Sequence, residues 1–136
     1  ITQVAPGLFS ASADGQGIAV GSVTRIRGDG SRSEEGIAQF DPIEKRFAAL
    51  PIDLGAETDR VFLILYGTGL RGRTASASAL IGNVPTSVEY VGAQGTFVGL
   101  DQVNLLLPRS LIGRGDVDIN LVMQGRMANP LRVKIK

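Results

Sequence analysis

Apolar and polar side chains alternate with a period of two over much of the chain. Val117, Ile119, Leu121 and Met123 alternate with Asp116, Asp118 and Asn120, and Leu131, Val133 and Ile135 alternate with Arg132, Lys134 and Lys136. Successive side chains of a strand point to opposite faces, so each run predicts a strand with one dry and one wet face. Val103, Leu105 and Leu107 repeat the pattern against Gln102 and Asn104 until Pro108 ends the strand. Val88 and Tyr90 are expected on one face, with Glu89 on the other. The run Val61 to Tyr66 is apolar on both faces, which predicts a central strand covered on both sides.

The first third gives weaker patterns. Leu8 to Ala11 and Ile18 to Ile26 read as strands, the second closing at Gly28-Asp29-Gly30. Glycine and serine from Gly28 to Gly36 predict an exposed, mobile loop. Ile37 to Phe40 and Phe47 to Ile52 flank Asp41-Pro42-Ile43-Glu44. That tetrad fits a helix start, with Asp41 as N-cap and Pro42 at the first helical position. A hairpin turn explains the flanking strands as well and is the preferred reading. No window sustains a helical apolar stripe over three turns. Short strands at intervals of roughly 8–12 residues, with turn residues between them, predict an all-β fold. The expectation is an immunoglobulin-like β-sandwich of two packed, mainly antiparallel sheets, forming a single domain over residues 1–136.

Composition narrows the chemistry. The chain has no Cys and no His, so it has no disulfide, no thiolate nucleophile, and lacks the commonest general base and transition-metal ligand. Serine–histidine and cysteine–histidine catalysis are excluded on inventory. A Ser–Lys pair would need Lys45, Lys134 or Lys136, none of which lies in an apolar setting that would depress its pKa. Asp116 and Asp118 share a strand face, but their alternation with core residues puts them on open surface rather than in a glycosidase cleft. Fourteen basic and thirteen acidic residues leave a net charge of +1, which argues against nucleic acid or an anionic membrane surface as partner. No apolar run reaches the ~18 residues of a membrane-spanning helix. No catalytic, cofactor-binding or metal residue is assigned, and the chain is expected not to be an enzyme.

Three motifs invite a functional reading. Gly67-Thr68-Gly69-Leu70-Arg71-Gly72 spells the glycine pattern of dinucleotide-binding folds after a strand, with Glu89 about 20 residues on. That chemistry needs a helix whose N-terminal amides hold the pyrophosphate. The segment Arg73 to Ala79 is small, without a buried face, and stopped by Gly82-Asn83-Val84-Pro85, so a nucleotide-binding enzyme is the remote alternative. Arg27-Gly28-Asp29 and Arg114-Gly115-Asp116 read as solvated turns between strands. Asp14, Asp29, Asp41, Asp59, Asp101 and Asp116 stand near strand ends where calcium could bind, but no repeated ligand ladder joins them. Gln102 and Asn104, in an apolar strand, are expected to tie a neighbouring loop to it.

Several segments carry a family resemblance. Val4 to Phe9, Gly15-Gln16-Gly17, Pro51 to Gly55, Tyr66 to Gly72, Ile81 to Pro85, and Phe97 to Asn104 continuing through Leu107-Pro108 and Gly113-Arg114-Gly115 resemble an uncharacterised C-terminal domain of large secreted acidobacterial proteins. The second half is also similar to IPT/TIG immunoglobulin-like modules. Asn83 departs from the pattern, which has a second Gly there. The resemblance implies a secreted or cell-surface location, a place at the end of a larger exported protein, and no activity or site residue. The expected function is a noncatalytic module acting in structure, adhesion or protein interaction. Its partners would be an unknown protein, a surface glycan, or the neighbouring domains of the parent protein. A carbohydrate-binding module is the alternative. It is disfavoured because Trp is absent and Tyr66, Tyr90 and most Phe occupy core-like positions in the sequence pattern.

Overall fold

A computed structural model describes residues 6–70, 77–97 and 99–136. It is all-β. The strands are β1 (Gly7–Leu8), β2 (Gly21–Ile26), β3 (Arg32–Gly36), β4 (Ala38–Asp41), β5 (Arg46–Ala49), β6 (Pro51–Ile52), β7 (Arg60–Thr68), β8 (Ala77–Ile81), β9 (Val84–Ala93), β10 (Asp101–Leu106), β11 (Gly115–Met123), β12 (Arg126–Met127) and β13 (Leu131–Ile135). A 3₁₀ turn, Arg109–Leu111, follows β10.

The all-β class expected from the sequence is what the structure shows, arranged as one large mixed sheet and one small one. Among the described residues, eleven strands join in one large curled sheet of order β3-β2-β7-β10-β9-β8-β11-β13-β6, with β1 on β7 and β12 on β11. The hairpin β4-β5 forms a small second sheet. The physical reason for the continuity is β9. Its first residues pair with β8 and its remainder with β10, so one ten-residue strand carries hydrogen bonding from one half of the sheet to the other. The pairing is antiparallel throughout except for β6 against β13, which is parallel and makes the sheet mixed.

Curling brings one face of each half against the other. Leu8, Val23, Leu63, Leu65, Val103 and Leu105 from one end of the path share a core with Ile81, Val117, Ile119, Leu121, Leu131, Val133 and Ile135 from the other. Of these, Val103, Leu105, Val117, Ile119, Leu121, Leu131, Val133 and Ile135 are the positions that the period-two pattern assigns to dry faces. Arg132, Lys134 and Lys136 are exposed, as their alternation with the core residues requires.

Turn chemistry follows residue type. β8 and β9 are joined by Gly82 and Asn83, both at positive φ (55° and 65°), the geometry that the twist of a two-residue hairpin favours. Asn83 holds this left-handed position, which Asn tolerates better than most residues other than Gly. Asp41-Pro42-Ile43-Glu44 is a hairpin turn, as preferred. The Asp41 carboxylate nonetheless accepts from the Ile43 and Glu44 amides as a helix N-cap would, which explains why the sequence allowed both readings.

Two local expectations fail. The loop read from Gly28 to Gly36 shrinks to a tight turn, because Arg32–Gly36 is an edge strand paired along β2. Its side chains are all polar or charged, so no apolar pattern announced it, and such charges suit an edge that must not pair further. Val88 and Tyr90 do not share a face. The register between β10 and β9 shifts at Asn104/Leu105, pairing Leu105 with Val88 but Asn104 with Tyr90. Glu89 is the extra residue of a bulge, and a one-residue insertion inverts the alternation beyond it.

Candidate functional site

Two regions gather polar chemistry. The first is a clamp around residues 53–59, the loop between β6 and β7. Arg25, on β2, is only 6% exposed. Its Nε donates to Glu35 Oε2 at 2.7 Å, Nη2 to Glu35 Oε1 at 3.3 Å, and Nη1 to Asp59 Oδ2 at 3.2 Å. Nη2 also donates to the Asp53 carbonyl. Hydrogen bonds to Glu35 lead in raising the Arg25 pKa above its ordinary value, against the desolvation of burial, and the charges of Glu35 and Asp59 add to them. Arg109, just after β10, donates to the carbonyls of Leu54, Gly55 and Ala56 at 3.0, 2.6 and 2.9 Å. Two guanidinium groups thus hold four consecutive carbonyls, a use that Arg's fixed fork of donors suits.

Beside this clamp lies an open cleft of about 430 Å³, floored by Leu54, Val61, Pro85 and Leu106 with Glu57 and Arg60 at its rim. Its cations are already engaged. Arg109 is spent on the loop carbonyls, and the Arg60 guanidinium lies 5.5 Å from the Phe62 ring centroid. The arrangement builds a rigid loop.

The second region is the outer face of β7, β10 and β9. Cross-strand partners share a face, and the register places Gln102 between Tyr66 on β7 and Gly92 on β9, with Asn104 between Ile64 and Tyr90. The Tyr90 ring lies over Gly92: a Cβ at that glycine would stand 3.0 Å from Tyr90 Oη and 3.3 Å from Cζ. Tyr90 Oη donates to the Ala93 carbonyl at 2.6 Å, pinning the ring flat while 41% of the residue stays exposed. Gln102 Nε2 donates to Asn104 Oδ1 at 2.8 Å. Tyr66, Gln102 and Asn104 are half-buried, and Ile64 is buried beneath them. The result is an uncharged patch of two tyrosines and two mutually oriented amides.

This patch corrects two sequence expectations. Gln102 and Asn104 bond to each other and do not anchor a loop. The aromatics are not in the core: Phe9, Phe40, Phe47, Tyr90 and Phe97 are exposed, Phe62 and Tyr66 are half-buried, and the core cluster contains none of them. β7 is central, with partners on both sides, yet Phe62, Ile64 and Tyr66 on its second face lie outside the core. The sequence held one signal for Tyr90. Val88 and Val91 are three apart, a spacing that two inward-facing strand residues reach only across a bulge.

The remaining motifs resolve as follows. Gly67 and Thr68 belong to β7 itself, and Gly67 faces β1, where a Cβ would meet the Gly7 carbonyl oxygen at 2.0 Å. Close backbone approach explains that glycine. Arg71 to Ser76 lie outside the described residues, and Ala77 already begins an antiparallel strand. The eight residues between Thr68 and Ala77 are short of the dozen or more that a helical crossover needs. Arg27-Gly28-Asp29 forms the exposed turn between β2 and β3, with Gly30 N–H bonded to the Arg27 carbonyl. Arg114 reaches the Gly82 carbonyl, and Asp116 is exposed on β11.

The aspartates are dispersed. Asp14, Asp29 and Asp41 accept from nearby turn amides, Asp59 pairs with Arg25, and the buried Asp101 accepts from the Leu70 amide at 3.0 Å. Among the described residues no three acidic groups gather at metal-binding distance. Asp118 is exposed and lies 3.4 Å from Arg132. No helix among the described residues is long and apolar enough to cross a membrane. Neither a protein-family model, nor a curated protein, nor a solved structure matches this chain.

Proposed function

We propose that the chain is a noncatalytic immunoglobulin-like module of an exported protein, acting in structure, adhesion or protein interaction, with the outer face of β7, β10 and β9 as its recognition surface. The finer fold reading takes β9 as a corner strand. Strands that pass from one layer to the next by a bend or bulge are a known way to join the layers of a sandwich. The curled sheet then reads as β3-β2-β7-β10-β9 stacked on β9-β8-β11-β13-β6 across the shared core. The cell-surface setting rests on the resemblance of the segments around Tyr66 to Gly72 and Phe97 to Asn104.

One observation carries the functional reading. The fold spends its buried Arg25 and its Arg109 on fixing a loop, yet leaves two tyrosines and an amide pair together on an open sheet face. Rigid, amphipathic Tyr side chains give contact area at small entropic cost, which favours them on recognition surfaces. The test is binding of the fluorescently labelled domain to bacterial envelope preparations. Saturable binding that is lost in a Tyr66→Ala/Tyr90→Ala double variant, and kept in Ile43→Ala on the far hairpin, is the expected result. Binding that does not saturate, or that ignores the double variant, overturns the reading.

A further inference from the structure

We infer that the Tyr66-Gln102-Tyr90 face binds a neutral, extended β-1,4-linked glycan. This rests on the reading of that face as the recognition surface and names its ligand class. Three features of the patch select the ligand. First, Tyr66, Gln102 and Gly92 occupy neighbouring positions across three adjacent strands, and the Tyr90 ring covers Gly92. The two tyrosines therefore stand about two strand spacings apart, roughly 10 Å. An occupant that meets both must be extended and present apolar faces at intervals along its length. A β-1,4-linked hexopyranose chain is a flat ribbon whose equatorial hydroxyls lie at its edges and whose C–H groups form its faces.

Second, the patch carries no cation, and the exposed residue next to Tyr90, Glu89, is acidic. Tyr66, Tyr90, Gln102, Asn104, Ile64 and Ser22 carry no formal charge, in a chain with fourteen basic and thirteen acidic residues. An anionic ligand such as a phosphorylated or uronic-acid polymer would find no counter-charge there. Third, the hydrogen-bonding groups are of the right kind and are held in place. The Gln102-Asn104 bond orients both amides, and among the described residues neither Gln102 Oε1 nor Asn104 Nδ2 makes a further hydrogen bond. One acceptor and one donor, set between two rings, match hydroxyls at a ribbon's edge. Phe62 is not part of the platform, because Arg60 lies over its ring.

The test is titration calorimetry of the whole chain with cellohexaose, N-acetylchitohexaose and maltohexaose. The expected result is saturable binding of at least one of the two β-1,4-linked probes and no measurable binding of the α-linked maltohexaose, which coils. Tyr90→Ala is expected to weaken binding about tenfold, which corresponds to about 1.4 kcal/mol, because it removes a stacking partner and exposes the Gly92 backbone. Because Tyr90 also shields Gly92, Gln102→Leu is the second variant; it keeps the strand's shape and removes the amide, and it too must weaken binding, with its thermal midpoint compared with the parent's. Failure of both β-linked probes to bind, equal binding of maltohexaose, or binding unchanged in either variant overturns the inference. If the hexasaccharides fail while envelope binding still vanishes in the double tyrosine variant, the glycan inference falls and the recognition face stands.

Discussion

Arg25 makes its four hydrogen bonds from inside the protein, to two carboxylates and a carbonyl that were solvated in the unfolded chain. Truncating it leaves Asp59, itself largely buried, without its counter-charge. Removal of one partner from a buried ion pair costs more than the pair contributes. Arg25→Ala is therefore expected to destabilise the fold by about 3 kcal/mol, the lower end of the usual range because Glu35 is partly exposed. Urea denaturation, read as a shift of midpoint at constant slope, measures it. Gly55 belongs to the same unit. It has φ of +65°, and a Cβ would lie 2.6 Å from both Arg25 Nη1 and Asp59 Oδ2. Gly55→Ala is expected to cost about 2 kcal/mol from backbone strain alone. It should also be non-additive with Arg25→Ala, since deleting the guanidinium removes part of the clash. Additive losses would show that the loop relaxes independently of the clamp.

Two exposed turns respond to acid in a defined direction. Hydrogen bonds from Ser12 and the Gln16 amide hold the Asp14 carboxyl below its ordinary value, and bonds from the Ser31 side chain and amide do the same for Asp29. A carboxyl depressed in the folded state adds stability above its unfolded pKa and loses it as pH falls through the folded one. The Gln16 and Ser31 amide resonances are expected to titrate with midpoints below the ordinary aspartate value, together with faster local exchange as pH falls through them. A shift centred at or above the ordinary aspartate value would mean that these turn bonds are not made in solution.

Among the elements, the segment before β2 depends most on a single remote side chain. Asn129, just before β13, accepts from the Leu8 amide at 2.7 Å through Oδ1. Its Nδ2 donates to the carbonyls of Leu8 and Gly15 at 3.0 and 2.9 Å. An amide can satisfy a backbone N–H and a C=O at once, so Asn129 acts for Leu8 as a neighbouring strand would. Asn129→Ala is expected to cost about 1–2 kcal/mol. Hydrogen exchange should rise at Leu8 and Ala11 while the amides of β7 and β11 keep their protection. Uniform acceleration across all strands would show the segment to be part of the global unit.

The same scale shows what the sequence could reveal. Strands with one dry face were legible, because Leu131 to Ile135 alternate without interruption, Val117 to Met123 do so except at Val122, and burial follows the pattern. β3 was not, since an edge strand of Arg, Ser and Glu has no apolar period to read. The outer face of β7, β10 and β9 was missed for a different reason. Tyr90 stands two residues after Val88, and only the bulge at Glu89, fixed by pairing with β10, turns it outward. Gln102 and Asn104 were singled out from their apolar strand, but the partner of each amide proved to be the other. Pairing partners are tertiary facts, and neither propensity nor periodicity contains them.

At the scale of the molecule, the sheet's two halves are tied by contacts remote in sequence. Ile18 bridges to Arg132, β6 lies parallel to β13, and β9 serves both halves. A core shared by Leu63, Leu105, Ile119 and Val133 gives neither half a buried face of its own. Unfolding is therefore expected to be one cooperative transition. Tyrosine emission, which reports Tyr66 and Tyr90 on the outer face, should change together with far-ultraviolet circular dichroism. Ile119→Ala, at a fully buried site on β11, should lower both midpoints equally, by about 2–5 kcal/mol in stability. Closing such long loops before their contacts form also slows folding, so refolding is expected in milliseconds to seconds rather than microseconds. If Ile119→Ala moved the circular dichroism transition but left tyrosine emission in place, β9 would be a hinge between two independently stable halves, and the shared core would not be what holds the outer face of β7, β10 and β9 flat.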